Sequence, residues 1–324
     1  MRTVVCPVYG SPEVLRVEER PSPTPGPGQA LIRVAAASVN YPDVLLVADK
    51  YQISVPTPFV PGSEFAGVVT EITSPTTAFG VGDRVSGTGL FGAFAEEIVV
   101  DIARLSAVPD GVDLRTAAAF GVAHRTAYHA LRSVAEVDAD EEVIVLGAGG
   151  GVGLAAVALA TRLGASVTAV ASSADKLAAA TAHGAAHTID HRAGELRSAL
   201  RSTLPEGAHA VLDPVGGALS EPALRSLRRG GRFVTIGYAS GEIPCIPLNL
   251  VLIKGIHVLG FQFQDLPSHQ VRRNDAELVE LLTQAKVTPH IDAVYTLDNA
   301  AAALRRVADG KAVGKVLLDL TDPP

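Results

Sequence analysis

Asn40, Asp43 and Tyr51 stand close together in an otherwise apolar stretch, "ASVNYPDVLLVADKYQ" (37–52). An amide N–H and a phenolic O–H are neutral donors. Either could hydrogen-bond a carbonyl whose oxygen gains charge during a reaction. Tyr51 could also hand over a proton. Asp43, three residues after Asn40, adds a carboxylate. A structural reading competes with this one. Asn40 would then start a turn before Pro42, Asp43 would cap a helix beginning "VLLVAD", and Tyr51 would only pack.

A second set of residues points to a phosphate-bearing ligand. "VIVLGAGGGVGLAAVALA" (143–160) reads as strand, glycine loop and helix. The best dinucleotide frame is Ala148-x-Gly150-x-x-Gly153, with Ala in the first slot. Gly150 would let the backbone approach a pyrophosphate, and Gly153 would let the helix pack on the strand. Gly151, Val152 and Gly153 begin that helix, whose free N–H groups and dipole favour phosphates. The next strand ends at "AVASSADK" (169–176). An NAD site usually carries an acid there. Ser172, Ser173 and Lys176 instead offer hydroxyls and a cation, which suit the 2′-phosphate of NADPH. Ser173 also reads as a helix N-cap, and both readings can hold together.

These residues need elements to position them. The first third has short β-rich runs broken by Pro and Gly, such as "ALIRV", "FAGVVTEI" and "AEEIVV", joined by turns such as "GVGDRVSG". From about residue 118, strands alternate with helices: "EEVIVLG", "GLAAVALATRLG", "SVTAVA", "ADKLAAATAHG", "HTI", "HAVLD", "ALSEPALRSLRR", "RFVTIG" and "IHVLG". That alternation predicts an α/β, doubly wound parallel sheet. After about residue 264 the pattern changes to "DAELVELLTQAKV", "HIDAVYTL", "NAAAALRRVADGK" and "GKVLLDL". Periodicity alone does not say to which domain this tail belongs.

The composition excludes several classes. Of 324 residues 48% are hydrophobic and 19% charged, enough for real cores in two domains. The net charge is −7 with no run of Lys or Arg, so no nucleic-acid partner is expected. "MRTVVCPVYG" lacks an apolar signal segment, and no apolar stretch is long enough to span a membrane. Cys6 and Cys245 are too few for a disulfide framework, read as small core or strand residues, and fit a cytoplasmic location.

Several landmarks in order then carry a resemblance: "SVNYPDVLLVADKYQ", "VPGSEFAGVV", "GVGDRV", "RTAYHAL", "GAGGGVGLAAVALA", "LDPVGG", "IGYASGEIP", "PLNLVLIKG" and "GKVLL". Together they resemble the medium-chain dehydrogenase/reductase superfamily, in its zinc-free quinone oxidoreductase branch related to zeta-crystallin. The resemblance implies a Rossmann domain inserted into a GroES-like β-rich domain. The expected divisions are 1–119 (GroES-like, first part), 120–263 (Rossmann) and 264–324 (return to the GroES-like domain). It implies an NADPH-dependent reductase of quinones or α,β-unsaturated carbonyls, assembled as a homodimer or homotetramer. The alternatives are an enoyl-thioester reductase and a cofactor-binding, crystallin-like protein with little turnover.

Residue by residue, the resemblance places Asn40 and Tyr51 at the substrate and Asp43 close by, holding the loop rather than transferring a proton. Leu45 stands where some relatives carry a second tyrosine. Thr126 would approach the nicotinamide. His191 replaces a tyrosine beside the 2′-phosphate. Gly237, Tyr238 and Phe261 would meet the nicotinamide amide through their backbones. Lys315 would reach the cofactor or be a surface charge on the closing strand. His124 and His129 read as structural, and Asp213 as a turn former. The zinc branch has a histidine where this chain has Ser63, and Asn40 lies near the place of its first cysteine. No metal is expected, because Ser63 and two cysteines cannot build a zinc site.

Overall fold

The structure is a computed structural model, and it describes residues 1–74 and 78–321. The strands run, in chain order, β1 (Arg2–Val5), β2 (Arg16–Glu19), β3 (Gln29–Val39), β4 (Glu64–Ile72), β5 (Arg84–Thr88), β6 (Glu97–Asp101), β7 (Leu105–Ala107), β8 (Glu142–Leu146), β9 (Ser166–Ala171), β10 (His187–Asp190), β11 (Ala208–Asp213), β12 (Leu227–Thr235), β13 (His257–Gly260), β14 (Ile291–Thr296) and β15 (Lys315–Asp319). The helices are α1 (Tyr41–Val47), α2 (Leu114–His129), α3 (Gly151–Arg162), α4 (Ala174–Ala182), α5 (Leu196–Thr203), α6 (Ser220–Arg225), α7 (Leu248–Lys254), α8 (Ser268–Thr283) and α9 (Ala300–Ala308).

The chain divides into two compact units. Unit 1 is Met1–Val122 with Thr288–Pro324, and unit 2 is Ala123–Val287. In unit 1 the long strand β3 pairs with β4, β6 and β15, and the sheet runs β14-β15-β3-β4-β5-β7. The closing strand β15 is antiparallel to β3, with Val316 opposite Val39. That pairing brings Lys315 beside the end of β3, where α1 begins. Ile32, Val34, Phe65, Phe94 and Leu304 lie in the buried core of this unit.

In unit 2 the six strands are parallel and ordered β10-β9-β8-β11-β12-β13. Counted from β8, this is the 3-2-1-4-5-6 order of a dinucleotide-binding sheet. The central strands are apolar almost throughout because helices cover the sheet. The fold class expected from the sequence is the one observed.

Local differences have local causes. The helix expected over "ALSEPALRSLRR" ends at Arg225, because β12 already starts at Leu227. The chain was expected to return at residue 264, whereas the compact units divide at Thr288. Helix α8 is tied into unit 2 by side-chain bonds. Arg125 holds the Asp275 carboxylate with two bonds of 2.8 and 3.0 Å, and Tyr128 donates to Glu277 at 2.7 Å. Asn274 donates to the buried His129 ring at 3.0 Å. His129 is thus structural, as its sequence context suggested. Cys6 is buried, but Cys245 is exposed rather than in a core.

Candidate active site

The opening stretch folds as the end of β3, the N-cap Asn40 and the short helix α1. Asp43 is fully buried, and its Oδ2 accepts the Asn40 backbone N–H at 2.7 Å. That bond ties the first turn of α1 back to its cap. Burial pushes the Asp43 carboxyl up to about 7, against the opposing pull of the Asn40 N–H and the Ser63 hydroxyl.

Asn40, Ser63, Glu64 and Lys315 complete a buried polar cluster. Glu64 was not singled out in the sequence, yet it is the hub. Its Oε1 accepts the Val122 N–H at 2.7 Å, and its Oε2 accepts from Asn40 Nδ2 at 3.2 Å and from Lys315 Nζ at 3.1 Å. Lys315 Nζ also donates to Asn40 Oδ1. The reading of Lys315 as a surface charge is corrected: it is 4% exposed and ion-paired to Glu64. A buried ammonium needs such partners, because desolvation is otherwise prohibitive. The preceding turn depends on Gly62, at φ +100°, where a Cβ would lie 2.4 Å from the Phe94 ring.

This cluster fixes which way the Asn40 amide faces. Its oxygen accepts a hydrogen bond from Lys315 Nζ, so Nδ2 points to Ser63 Oγ and Glu64 Oε2, both at 3.2 Å, with Ser38 O at 3.4 Å. The amide donors expected to be open are directed to protein acceptors. Tyr51 differs. It is half-buried, its ring packs on the unit 1 core, and its hydroxyl has no hydrogen-bond partner among the described residues.

In unit 2 the glycine loop leaves β8 through Gly147, at φ +61°, and Gly150 is the N-cap of α3. The tight turn belongs to Gly147, one residue before Ala148, and the glycine in "VLGAGGGVG" was its signal. A Cβ on Gly153 would lie 2.1 Å from Gly147 O, so only glycine lets α3 pack on the loop. A Cβ on Gly150 would meet nothing closer than 3.5 Å. The loop is open on that side. The N–H groups of Gly151, Val152 and Gly153 lie in the first turn of α3, where no helical acceptor exists.

The end of β9 gathers the other anion-seeking groups. Ser173 caps α4 by accepting the Lys176 N–H at 3.5 Å, and Lys176 Nζ lies 3.4 Å from Ser172 Oγ. The Lys176 stem lies against Gly149, where a Cβ would meet it at 2.4 Å. His191 donates its backbone N–H to Ala171 O at 3.1 Å, which sets it beside the same strand end. Burial, with Arg192 nearby, pushes its imidazole below the ordinary value.

The remaining expected residues are spread over unit 2. Thr126 is buried on α2, and Phe261 is buried just after β13. Gly237 and the exposed Tyr238 follow β12. Asp213 ends β11 and accepts from the N–H groups of Val215 and Gly216 at 2.9 and 2.8 Å, a turn former as expected. Among the described residues no group of three or more His, Cys, Asp and Glu could hold a metal ion.

Residues 26–110 match the family model of the alcohol dehydrogenase GroES-like domain, and residues 151–282 that of a zinc-binding dehydrogenase. Quinone oxidoreductase-like protein 2 of Bos taurus is 34% identical over 326 residues, spanning 98% of this chain and 92% of its own. Escherichia coli quinone oxidoreductase complexed with NADPH superposes with a TM-score of 0.91 at 25% identity, over 98% of this chain and 100% of its own. The mycobacterial protein Rv1454c complexed with NADPH gives a TM-score of 0.91 at 29% identity, over 98% and 99% of the two chains.

Proposed function

The chain belongs to the zinc-free quinone oxidoreductase branch of the medium-chain dehydrogenase/reductase superfamily, and on that premise we propose that it is an NADPH-dependent reductase of quinones or α,β-unsaturated carbonyls that works without a metal. The observation that carries the metal-free part is the Lys315 ammonium. Zinc prefers thiolate, imidazole and carboxylate ligands. The cluster around Asn40 offers an amide, a hydroxyl and a carboxylate that already holds an ammonium. These residues do not fit a zinc ion.

The residues gathered in unit 2 fit NADPH instead. Gly150 leaves room for a pyrophosphate, and Gly151, Val152 and Gly153 supply N–H groups to it. Ser172, Ser173, Lys176 and His191 would take the 2′-phosphate, since no acid ends β9. Bound NADPH supplies the hydride. Thr126, Gly237, Tyr238 and Phe261 are proposed to orient its nicotinamide.

Tyr51 is proposed as the donor to the substrate oxygen, because its hydroxyl is uncommitted among the described residues. A fixed O–H donor there would stabilise the charge that the substrate oxygen gains on reduction. Asn40 and Asp43 hold the segment that carries Tyr51, and Lys315 acts through them rather than on the cofactor.

We also propose a homodimer. β13 is the edge strand of the parallel sheet, and Leu248, Leu252 and Ile253 on the neighbouring α7 are 76%, 83% and 61% exposed. An open edge beside exposed apolar side chains favours pairing with a second copy. No helix among the described residues is long and apolar enough to cross a membrane. A cytoplasmic location belongs to this proposal.

The test is NADPH consumption with benzoquinone, phenanthrenequinone, a 2-enone and crotonyl-CoA, beside cofactor titration and light scattering. Consumption with the quinones or the enone supports the reading. Preference for crotonyl-CoA would replace it by a thioester reductase. Tight NADPH binding with no consumption would replace it by a binding role.

A further inference from the structure

The N-terminal ends of the parallel strands lie at the opposite end of the sheet from the glycine loop, and there unit 2 carries an open groove of about 540 Å³. Its charged wall comes from an irregularity in β12. Ala208 pairs with Leu227 and Ala210 with Arg232, so four residues, 228–231, stand against the single His209. The excess bulges out through Gly230, at φ +71°, and carries Arg228 and Arg229 into the groove.

The cations here are not equivalent. Arg232 is committed, with both Glu141 oxygens at 2.6 and 2.5 Å and the Glu136 carbonyl at 3.1 Å. Arg229 donates to the Ile253 carbonyl at 2.8 Å. Neither Arg228 nor Arg229 has a carboxylate within ion-pair distance among the described residues.

His209 indicates what is missing. Its Nδ1 accepts the Glu142 backbone N–H at 2.9 Å, so its ring proton sits on Nε2. Nε2 faces an Arg228 guanidinium N–H. Arginine only donates, and this face of His209 also donates, in either charge state. Two donors converge with no acceptor between them. A small outward turn of the exposed Arg228 would admit one. Glu136 also lines the groove, in no ion pair among the described residues, and it opposes any anion. An acceptor here must engage several donors at once, which an oxyanion with several oxygens can do.

We propose that this groove binds a phosphate-type oxyanion between Arg228 and His209 Nε2–H, with Arg229 and His257 at its margin. The site is separate from the glycine loop and does not depend on the substrate assigned above.

The probe is inorganic phosphate, titrated calorimetrically into the full-length protein at constant ionic strength, with and without NADPH. One saturable phosphate per chain is expected with NADPH bound, and the same one, beside any at the open glycine loop, without it. Arg228→Ala should weaken it about ten- to a hundred-fold and leave the melting temperature without phosphate unchanged. Lys176→Ala should leave it intact. Acetate should bind more weakly. Loss of the phosphate signal on adding NADPH would assign it to the dinucleotide site and overturn the proposal. So would equal binding by Arg228→Ala, or acetate binding as well as phosphate. A changed oligomeric state in Arg228→Ala with phosphate binding intact would assign the groove to a protein contact instead.

Discussion

In unit 1 the candidate site is a set of side chains bonded to one another. Lys315 reaches Asn40 and Glu64 across 275 and 251 positions of sequence. In unit 2 the glycine loop of the candidate cofactor site is one uninterrupted run, where the absence of a Cβ at Gly153 lets α3 pack on Gly147. The first is an electrostatic construction whose members depend on each other. The second is a steric construction whose parts act locally. Mutations should therefore couple strongly in unit 1 and stay independent in unit 2.

The largest effect is expected from breaking the buried pair. Lys315→Met leaves the Glu64 carboxylate buried without its cation and should cost about 3–5 kcal/mol of stability. Lys315→Met with Glu64→Gln should recover much of that loss. Chemical denaturation of the singles and the double measures it, and additive losses would show that the cluster is not coupled.

Next comes the uncommitted hydroxyl. Tyr51→Phe should lower kcat for a 2-enone by about 10²–10³, the cost of one lost donor to a developing oxyanion. A quinone spreads that charge itself and should lose less, and NADPH affinity should not change. Intact enone turnover would leave Tyr51 as a packing residue.

A smaller and purely local effect is expected in unit 2. Lys176→Ala should weaken NADPH about ten- to a hundred-fold while barely changing NADH, since a charge-assisted bond to phosphate is worth about 1.5–3 kcal/mol. Equal affinity of the unmutated protein for both cofactors would remove the 2′-phosphate assignment. The same substitution should leave the unit 1 cluster and the melting temperature unaltered.

The gentlest probe is pH. The Asp43 carboxyl is raised to about 7 in the folded chain, above its unfolded value. Its contribution is therefore complete in acid, below the unfolded value, and is lost as pH rises toward about 7. Over that window it should remove up to about 1.4 kcal/mol of stability per pH unit. Asp43→Asn should flatten this slope. An unchanged pH profile of unfolding would show that Asp43 titrates normally.

The sequence by itself determined the local devices. The strand, glycine loop and helix at 143–160 were legible because hydrophobic period and glycine spacing act between near neighbours. The same holds for Ser173 as the cap of α4 and for Asp213 as a turn former. The helix expected to begin after Asp43 begins instead at Tyr41, with Asn40 as its cap and Asp43 bonding back to it. The doubly wound parallel character of unit 2 followed from the alternation of strands and helices, since crossover handedness leaves few topologies. Tertiary structure alone decided the rest. Nothing near Glu64 in sequence marks it as a hub, because its partners come from α1, α2 and β15. Lys315 reads as a surface lysine on any scale of residue polarity, and only the antiparallel register of β15 on β3 buries it. The affiliation of α8 rests on Asp275 and Glu277 meeting Arg125 and Tyr128, charges that look solvent-facing in one dimension. Periodicity reports which face of an element is apolar. It does not report which distant polar groups will meet, because that depends on the register and packing of strands far apart in the chain.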